Sequence, residues 1–367
     1  MATRRRTPRR APRLDEVRGR IDAIDAELQA LIQERARIAR QVGKAKGKLA
    51  SAVEYYRPER EAQVLRGVLE RNRGPLSPEE MVRLFREIMS SCLAQQEPLK
   101  VGYLGPEGTF SEQAVLKHFG NGVTRLPLSS IEEVFQEVEA ENADFGVVPV
   151  ENSGEGTIHS TLDLFLGSKL KICGEVELRV HQFLLGRGRM AEVERVYSHP
   201  QSLAQCRGWL REHLPRAERL PVASNAEAAR RARSAEDAAA IAGEAAAHVY
   251  GLKVLAGPIE DRPDNTTRFV VLGRKLFQPS GRDKTSLLVS VKDHPGALYE
   301  LLTPLSKRGI NMSKIESRPA RQGKWQYVFF IDLDGHVEDE QVAAALAELG
   351  PFAANVKVLG SYPAAVL

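Results

Sequence analysis

Two constellations in this 367-residue chain have the residue types of binding and catalysis. The first is cationic. Leu14, Val17, Ile21, Ile24, Leu28, Leu31, Ile38 and Val42 recur at three- and four-residue spacing, the signature of one helix face. Continuing that seam puts Arg35 on the apolar stripe between Leu31 and Ile38. A charge there is costly unless it is paired. Arg18 and Lys46 fall on or beside the same face, and Gln96 extends the stripe of a later helix. Two guanidiniums, an ammonium and an amide suit a multiply anionic small molecule, because guanidinium forks match carboxylates. The alternative is an internal ion pair in which Glu61 or a neighbouring acid neutralises Arg35. Spacing does not separate the two.

The second constellation is built of hydroxyls and amides. In "DRPDNTTRFVVLG" (261–273), Thr266, Thr267 and Arg268 sit at the mouth of an apolar, strand-like run. A threonine hydroxyl there could donate a proton, and Arg268 could hold a carboxylate or pin the turn through Asp261 or Asp264. Asn, Asp, Pro and Thr are also what ordinary turns use. Three earlier stretches share one device, a strand, a small polar turn and a helix start. They are "VGYLGPEGTFSEQA" with Thr109, "VVPVENSGEGTIHSTLDLF" with Asn152 and Ser153, and "VYSHPQSLAQC" with Ser198 and Gln205. Backbone N–H groups at a helix N-terminus bind anions, carboxylates included. Each turn alone reads as a plain loop with an N-cap; together they could converge on one crevice. His159 and His199 lie in these turns and are not cast as catalytic.

Composition excludes several classes. With 43% hydrophobic and 27% charged residues, the chain has the balance of a soluble globular protein. No window approaches the ~18 apolar residues of a membrane span. Cys92, Cys173 and Cys206 form no C-x-x-C pair, which argues against a zinc ribbon or disulfide scaffold and fits a reducing cytoplasm. No G-x-G-x-x-G or P-loop pattern occurs, so neither a nucleotide cofactor nor a metal is expected. The net charge of +4 is uneven, because "MATRRRTPRRAPR" holds six arginines and no acid and the rest carries −2. The body is therefore no nucleic-acid binder; residues 1–13 read as a disordered basic tail that could at most touch RNA or DNA weakly.

Three textures follow one another. Residues 14–98 read as all-helical; a helix over 14–46 would be about 50 Å long and needs partner helices from a second chain. "SPEEMVRLFREIMSSCLAQQ" opens with Ser77, Pro78 and Glu80 as N-cap, first-turn proline and capping-box acid. From 99 to 275 strands alternate with helices, an α/β pattern. "LFQPSGRDK" (276–284) reads as a linker. Residues 285–367 follow a βαββαβ order, ferredoxin-like.

Each texture also resembles a known family. "LDEVRGRIDAIDAELQALIQERARIARQVGKAK", "YRPERE" and "LFREIMSSCLAQQ" resemble the all-α chorismate mutase domain. The resemblance implies an intertwined homodimer that rearranges chorismate to prephenate. It places Arg18, Arg35, Lys46, Arg60, Glu61 and Gln96 on the family's binding positions, with Arg18 serving the other subunit and Lys46 and Gln96 donating to the breaking ether oxygen. Arg57 stands where the family has an acid and Cys92 where it has a serine. "GPEGTFSEQA", "VVPVENSGEG", "YSHPQSLAQC" and "NTTRFVVLG" resemble prephenate dehydratase. That implies two hinged α/β lobes, periplasmic-binding-protein-like, with the site in the cleft. Thr267 would be the proton donor to the leaving hydroxyl; Thr109, Asn152, Ser153, Ser198, Gln205 and Arg268 would hold prephenate. "HPGALYELLTPLSKRGINMSKIESRP" resembles the ACT domain of bacterial prephenate dehydratases. It implies L-phenylalanine bound by Gly296, Ala297, Leu298, Glu316, Ser317 and Arg318, and end-product inhibition. The sum is a cytoplasmic bifunctional enzyme of phenylalanine biosynthesis. The competing readings are a dehydratase whose helical segment only dimerises and a non-enzymatic two-lobed binding module with a sensor.

Overall fold

The computed structural model describes residues 13–46, 56–96, 98–291, 294–319 and 327–367. The basic tail expected at 1–13 lies outside them apart from Arg13. Three helices come first: α1 (Leu14–Lys46), α2 (Pro58–Arg71) and α3 (Pro78–Ala94). Ser77 caps α3 by accepting from the Glu80 N–H at 3.1 Å, with Pro78 in the first turn. Helix α2 buries Ala62, Leu65 and Val68. Helix α1 leaves its apolar stripe open: Leu14 is 63% and Leu31 59% exposed.

The next domain has two sheets. Strands β1 (Lys100–Leu104), β2 (Thr124–Leu128), β3 (Phe145–Asn152), β4 (Gly156–Thr157), β5 (Lys171–Arg179) and β11 (Thr266–Gly273) form the first, ordered β2-β1-β3-β11-β5 with β4 on β3. Strands β6 (Phe183–Gly186), β7 (Arg195–Ser198), β8 (Glu218–Pro221), β9 (Ala238–Ala242) and β10 (Lys253–Ala256) form the second, ordered β10-β6-β9-β7-β8. The chain crosses between sheets after β5 and returns before β11, so two segments, 180–182 and 257–265, make the hinge. Helices α4 (Phe110–Phe119), α5 (Ile131–Glu139) and α6 (His159–Gly167) belong to the first lobe. Helices α7 (Pro200–Gln205), α8 (Arg207–His213), α9 (Asn225–Ala232) and α10 (Glu244–Tyr250) belong to the second.

One irregularity matters for function. Strand β11 pairs antiparallel with β3, matching Phe269 to Pro149, Arg268 to Glu151 and Thr267 to Asn152. Val150 is skipped, which makes a bulge. Side chains alternate along a strand, so strict alternation would send Asn152 to the face of Val148 and Val150. The extra residue re-aims it.

The C-terminal domain runs β12 (Asp283–Val291), α11 (Ala297–Lys307), β13 (Met312–Pro319), β14 (Tyr327–Asp334), α12 (Glu340–Leu349) and β15 (Ala353–Pro363). Its sheet is antiparallel, ordered β13-β14-β12-β15. One face packs on both helices through Leu287, Val289, Leu301, Leu305 and Ile331. The other shares a core with the first lobe, joining Leu288, Phe330, Leu359 and Tyr362 to Val150, Phe165, Ile172 and Val270. Gly360 permits that contact, since a Cβ there would lie 2.1 Å from the Ile172 carbonyl oxygen. The stretch read as a linker is partly structural: Phe277 is buried and β12 starts at Asp283.

Candidate functional site

The cleft between the lobes is a cavity of ≈ 270 Å³. Its walls come from turns at the ends of different strands. Leu104, Gly105, Gly108, Thr109 and Phe110 follow β1; Asn152 ends β3; His199, Gln201, Ser202 and Gln205 follow β7; Asn265 and Thr267 open β11. The lobes touch across its rim, where the Tyr250 hydroxyl donates to the Glu107 carbonyl at 2.9 Å. Gly108 adopts φ +84°, and a Cβ there would meet Ala246 of the other lobe at 3.3 Å. A side chain at that position would be strained and would press the lobes apart.

Amides and hydroxyls organise the floor. The Asn152 side-chain amide donates to Thr267 Oγ1 and to Asn265 Oδ1, each at 2.8 Å. Asn265 donates to Gln205 Oε1 at 3.1 Å. Gln182 in the hinge donates to Ser202 Oγ at 3.0 Å, and Asn225 donates to the same oxygen at 2.8 Å. The chain of bonds therefore runs from one lobe through the hinge into the other. Buried Gln182 Oε1 has no hydrogen-bond partner among the described residues, an acceptor left for something in the cleft. Thr267 Oγ1 accepts from Asn152, which leaves its own proton free to donate. Apart from His199, no side chain lining the cleft is an acid or a base, so positioned donors are the main chemistry it offers.

Three dehydratase positions expected at the site lie elsewhere. Ser198 is fully buried behind the cleft, donating to the Ile241 carbonyl at 2.8 Å and holding Asn225 Oδ1 at 2.9 Å. Ser153 pins the turn by accepting from the Thr266 N–H at 3.0 Å. Arg268 points to the opposite face of the sheet, because neighbours on a strand face opposite ways. It donates to Glu175 at 3.0 Å, Asp332 at 2.6 Å and the Tyr362 hydroxyl at 3.0 Å. Neither Asp261 nor Asp264 is its partner; Asp261 caps the Gly208 and Trp209 amides instead. Thr109 caps α4, its Oγ1 accepting from the Glu112 N–H at 3.4 Å while it lines the cavity. His199 also lines the cavity and accepts from the Gln201 N–H at 3.3 Å through Nδ1. Sequence reasoning did not single out Gln182, Ser202, Asn225 and Asn265: Ser202 and Asn265 stand inside the stretches "YSHPQSLAQC" and "NTTRFVVLG", while Gln182 and Asn225 signal only as polar residues beside a hinge and a helix start.

A second cavity, ≈ 440 Å³, lies among the first three helices. Arg35, Arg60, Glu61 and Gln96 line it together with Arg57 and Cys92. Arg18 does not; it sits about 25 Å further up α1 at 1.5 Å per residue. The side chain of Lys46 lies outside the described residues. No ion pair joins Arg35 to Glu61 among the described residues; Glu61 approaches Arg86 at 3.8 Å. Burial pushes the Glu61 carboxyl up to about 7, with Arg86 pulling against it. His118 nearby, bonded to the Tyr56 hydroxyl at 3.0 Å, is pushed down to about 3 by burial and by Arg86.

In the C-terminal domain Gly296 caps α11 at φ +89°. Ala297 is buried and Leu298 half-exposed. Strand β13 separates the expected effector residues. Glu316 accepts from Thr157 at 3.0 Å and Arg318 donates to Asp163 at 2.7 Å, both toward the first lobe. Ser317 is exposed, and by the alternation of the strand it faces away from Glu316 and Arg318.

A cationic helical cavity, a two-lobed α/β cleft of positioned hydroxyls and amides, and a small βαββαβ module define a multidomain enzyme acting on small anions. Family models for chorismate mutase type II, prephenate dehydratase and the ACT domain match residues 17–97, 101–276 and 285–351. The chain is 54% identical over 363 residues to the bifunctional chorismate mutase/prephenate dehydratase of Stutzerimonas stutzeri, covering 97% of this chain and 99% of that one. It is 50% identical over 354 residues to the enzyme of the same name from Neisseria gonorrhoeae, covering 95% and 97%. A prephenate dehydratase of Arthrobacter aurescens, solved in complex with L-Phe, superposes with a TM-score of 0.67 at 39% identity, covering 72% of this chain and 90% of its own. The chain belongs to the bifunctional chorismate mutase/prephenate dehydratase family.

Proposed function

We propose that this chain makes phenylpyruvate from chorismate in two steps at two sites, under control of L-phenylalanine. In the helical cavity chorismate rearranges to prephenate. The step is pericyclic and needs no nucleophile. Arg35 and Arg60 hold the carboxylates in the near-attack conformer, and Gln96, with Lys46, donates to the ether oxygen as charge grows on it. Arg18 serves the same cavity in a second copy, and the open stripe of α1 supports a homodimer in which that copy's helix covers it.

In the cleft prephenate loses its ring carboxylate as CO2 and its ring hydroxyl as water. The electron pair of the breaking C–C bond becomes part of the aromatic ring, and the departing hydroxyl takes up a proton. Thr267 donates to that oxygen. Asn152, holding Thr267 Oγ1 at 2.8 Å, fixes the direction of the O–H. The N-terminal amides of α4 and α9 and the amides of Gln205, Gln201 and Asn225 receive the carboxylates and the ketone. Neither step calls for a metal or a nucleotide. L-phenylalanine would bind beside Gly296 and Ser317 and favour a less active state of the cleft. The cytoplasm is the proposed location; no helix among the described residues is long and apolar enough to cross a membrane.

The observation that carries the reading is the Asn152–Thr267 bond at the floor of a cleft where turns from both lobes meet. The test is a chorismate time course with purified protein, reading prephenate and phenylpyruvate separately, with and without L-phenylalanine. Prephenate should rise and fall, phenylpyruvate should follow, and L-phenylalanine should slow the second product. Unchanged chorismate, or prephenate that accumulates without CO2 release, overturns the reading.

A further inference from the structure

Two pairs of charged residues face each other across the contact between the first lobe and the C-terminal sheet, directly behind the catalytic floor. On β11 and β3, Arg268 is the register partner of Glu151, one residue from the Thr267–Asn152 pair. On β13 and β14, Lys314 is the register partner of Asp332. The two ladders are complementary: Arg268 meets Asp332 at 2.6 Å and Lys314 meets Glu151 at 2.8 Å. A void of ≈ 30 Å³ lined by Arg268, Lys314, Asp332 and Ser286 lies between them, wide enough for one water. Glu175, which meets Arg268 at 3.0 Å and Lys284 at 2.8 Å, joins Ser286 and Tyr362 in the polar shell, Ser286 donating to Asp332 at 2.5 Å.

This arrangement fixes a register from behind. The bulge at Val150 sends Glu151 to the rear face and Asn152 to the cleft. A shift of Glu151 along its strand therefore moves Asn152, and a shift of Arg268 moves Thr267. The peptide bond between neighbours is rigid, so each ion pair is one residue away from a catalytic-floor side chain. One of the two pairs is well shielded from water, Arg268 and Asp332 being 14% and 11% exposed, whereas Glu151 of the other is 40% exposed. Isolated surface pairs do little; a register-matched set of opposite signs between two packed sheets constrains both sheets at once.

We propose that the quartet Arg268–Asp332 and Glu151–Lys314 is a positioning element of the dehydratase site, through which the C-terminal domain sets Thr267 opposite Asn152. The residues touch no substrate and act through the strands that carry the floor. This inference rests on the dehydratase reading of the cleft, and it gives the C-terminal domain a role in catalysis itself, separate from any effector it binds.

The test uses the full chain and a charge exchange at the more exposed pair. Lys314→Glu should place three carboxylates together and, by misplacing the floor slightly, lower dehydratase kcat roughly tenfold. KM for prephenate should stay within about twofold, and mutase turnover should be unchanged. Lys314→Glu with Glu151→Lys restores opposite signs and should recover most of the lost kcat. Amide hydrogen exchange of 150–153 and 265–269 gives a readout independent of turnover: faster in the single variant, restored in the double. A single variant with wild-type kcat and exchange overturns the proposal, as does a double variant no better than the single. If wild-type protein fails to release CO2 from prephenate, the dehydratase reading fails, and the exchange data still decide whether the quartet holds the strands.

Discussion

Replacing Thr267 by valine removes one hydroxyl and keeps the shape of the side chain. Thr267 is buried, and its Oγ1 has one donor, the Asn152 amide at 2.8 Å. In the variant Asn152 keeps its bond to Asn265 at 2.8 Å and leaves one N–H unmet. That costs ~1–3 kcal/mol of stability, against the ~5–15 kcal/mol of a typical domain, so the protein stays folded. The catalytic loss is larger. A positioned proton donor contributes ~10²–10⁴-fold, which is ~3–5 kcal/mol of barrier at 1.36 kcal/mol per decade. Thr267→Val should therefore lower dehydratase kcat by at least about a hundredfold. Thr267→Ser, which keeps the hydroxyl, should lie within about tenfold of wild type. The assay is phenylpyruvate formation from added prephenate, with mutase turnover of the same sample as the control for folding. Thr267→Val working at a tenth of the wild-type rate or better would refute the donor role, as would equal losses in both activities.

Three further outcomes follow from the helical domain. Arg35→Ala should abolish prephenate formation from chorismate while leaving phenylpyruvate formation from added prephenate intact; surviving mutase turnover would mean that the cationic face is only structural. Glu61 titrates at about 7 in the folded chain against 4.5 in the unfolded one. The folded state thus holds this proton more tightly, and stability falls as pH rises between those values. Glu61→Gln should leave the unfolding midpoint unchanged near pH 4.5 and raise it at pH 8, measured by calorimetry; an equal shift at both values would show that the proton is not the cause. Ile24→Asp, in the exposed stripe of α1, should convert a dimer to monomer in sedimentation and remove mutase turnover; a dimer of unchanged strength would place the interface elsewhere.

Much of this was legible because it is local. Ser77, Pro78 and Glu80 mark a helix start within four residues, and the βαββαβ order can be read from alternation and turns. The four polar turns also lie open in the sequence, since strand ends and helix starts carry their own residue types. What was not legible depends on side-chain direction and on distant pairing. Thr267 and Arg268 are neighbours on one strand, so only one of them can face the cleft; that rule was available and argues against using both. Asn152 is harder, because its direction is set by the skipped Val150, and a bulge is a property of two strands more than a hundred residues apart. Ser198 looks like a binding residue in its motif, yet it bonds a carbonyl of β9 that only the folded sheet brings close. Gln182 and Asn265 belong to the hinge and gain their meaning from the lobes that it joins.

The bulge on β3 also says what can and cannot vary over evolutionary time. Most sites tolerate a change of length in nearby loops and fail when a particular letter changes. Here Val150 counts twice: its side chain fills the core shared with the C-terminal domain, and its backbone is the extra residue that turns Asn152 to the cleft. Removing Val150 alone would close the bulge into a regular ladder that still matches asparagine to Thr267, so that loss would fall on the shared core. One residue added between Val148 and Asn152, with no second bulge to absorb it, would instead turn the asparagine toward the neighbouring module.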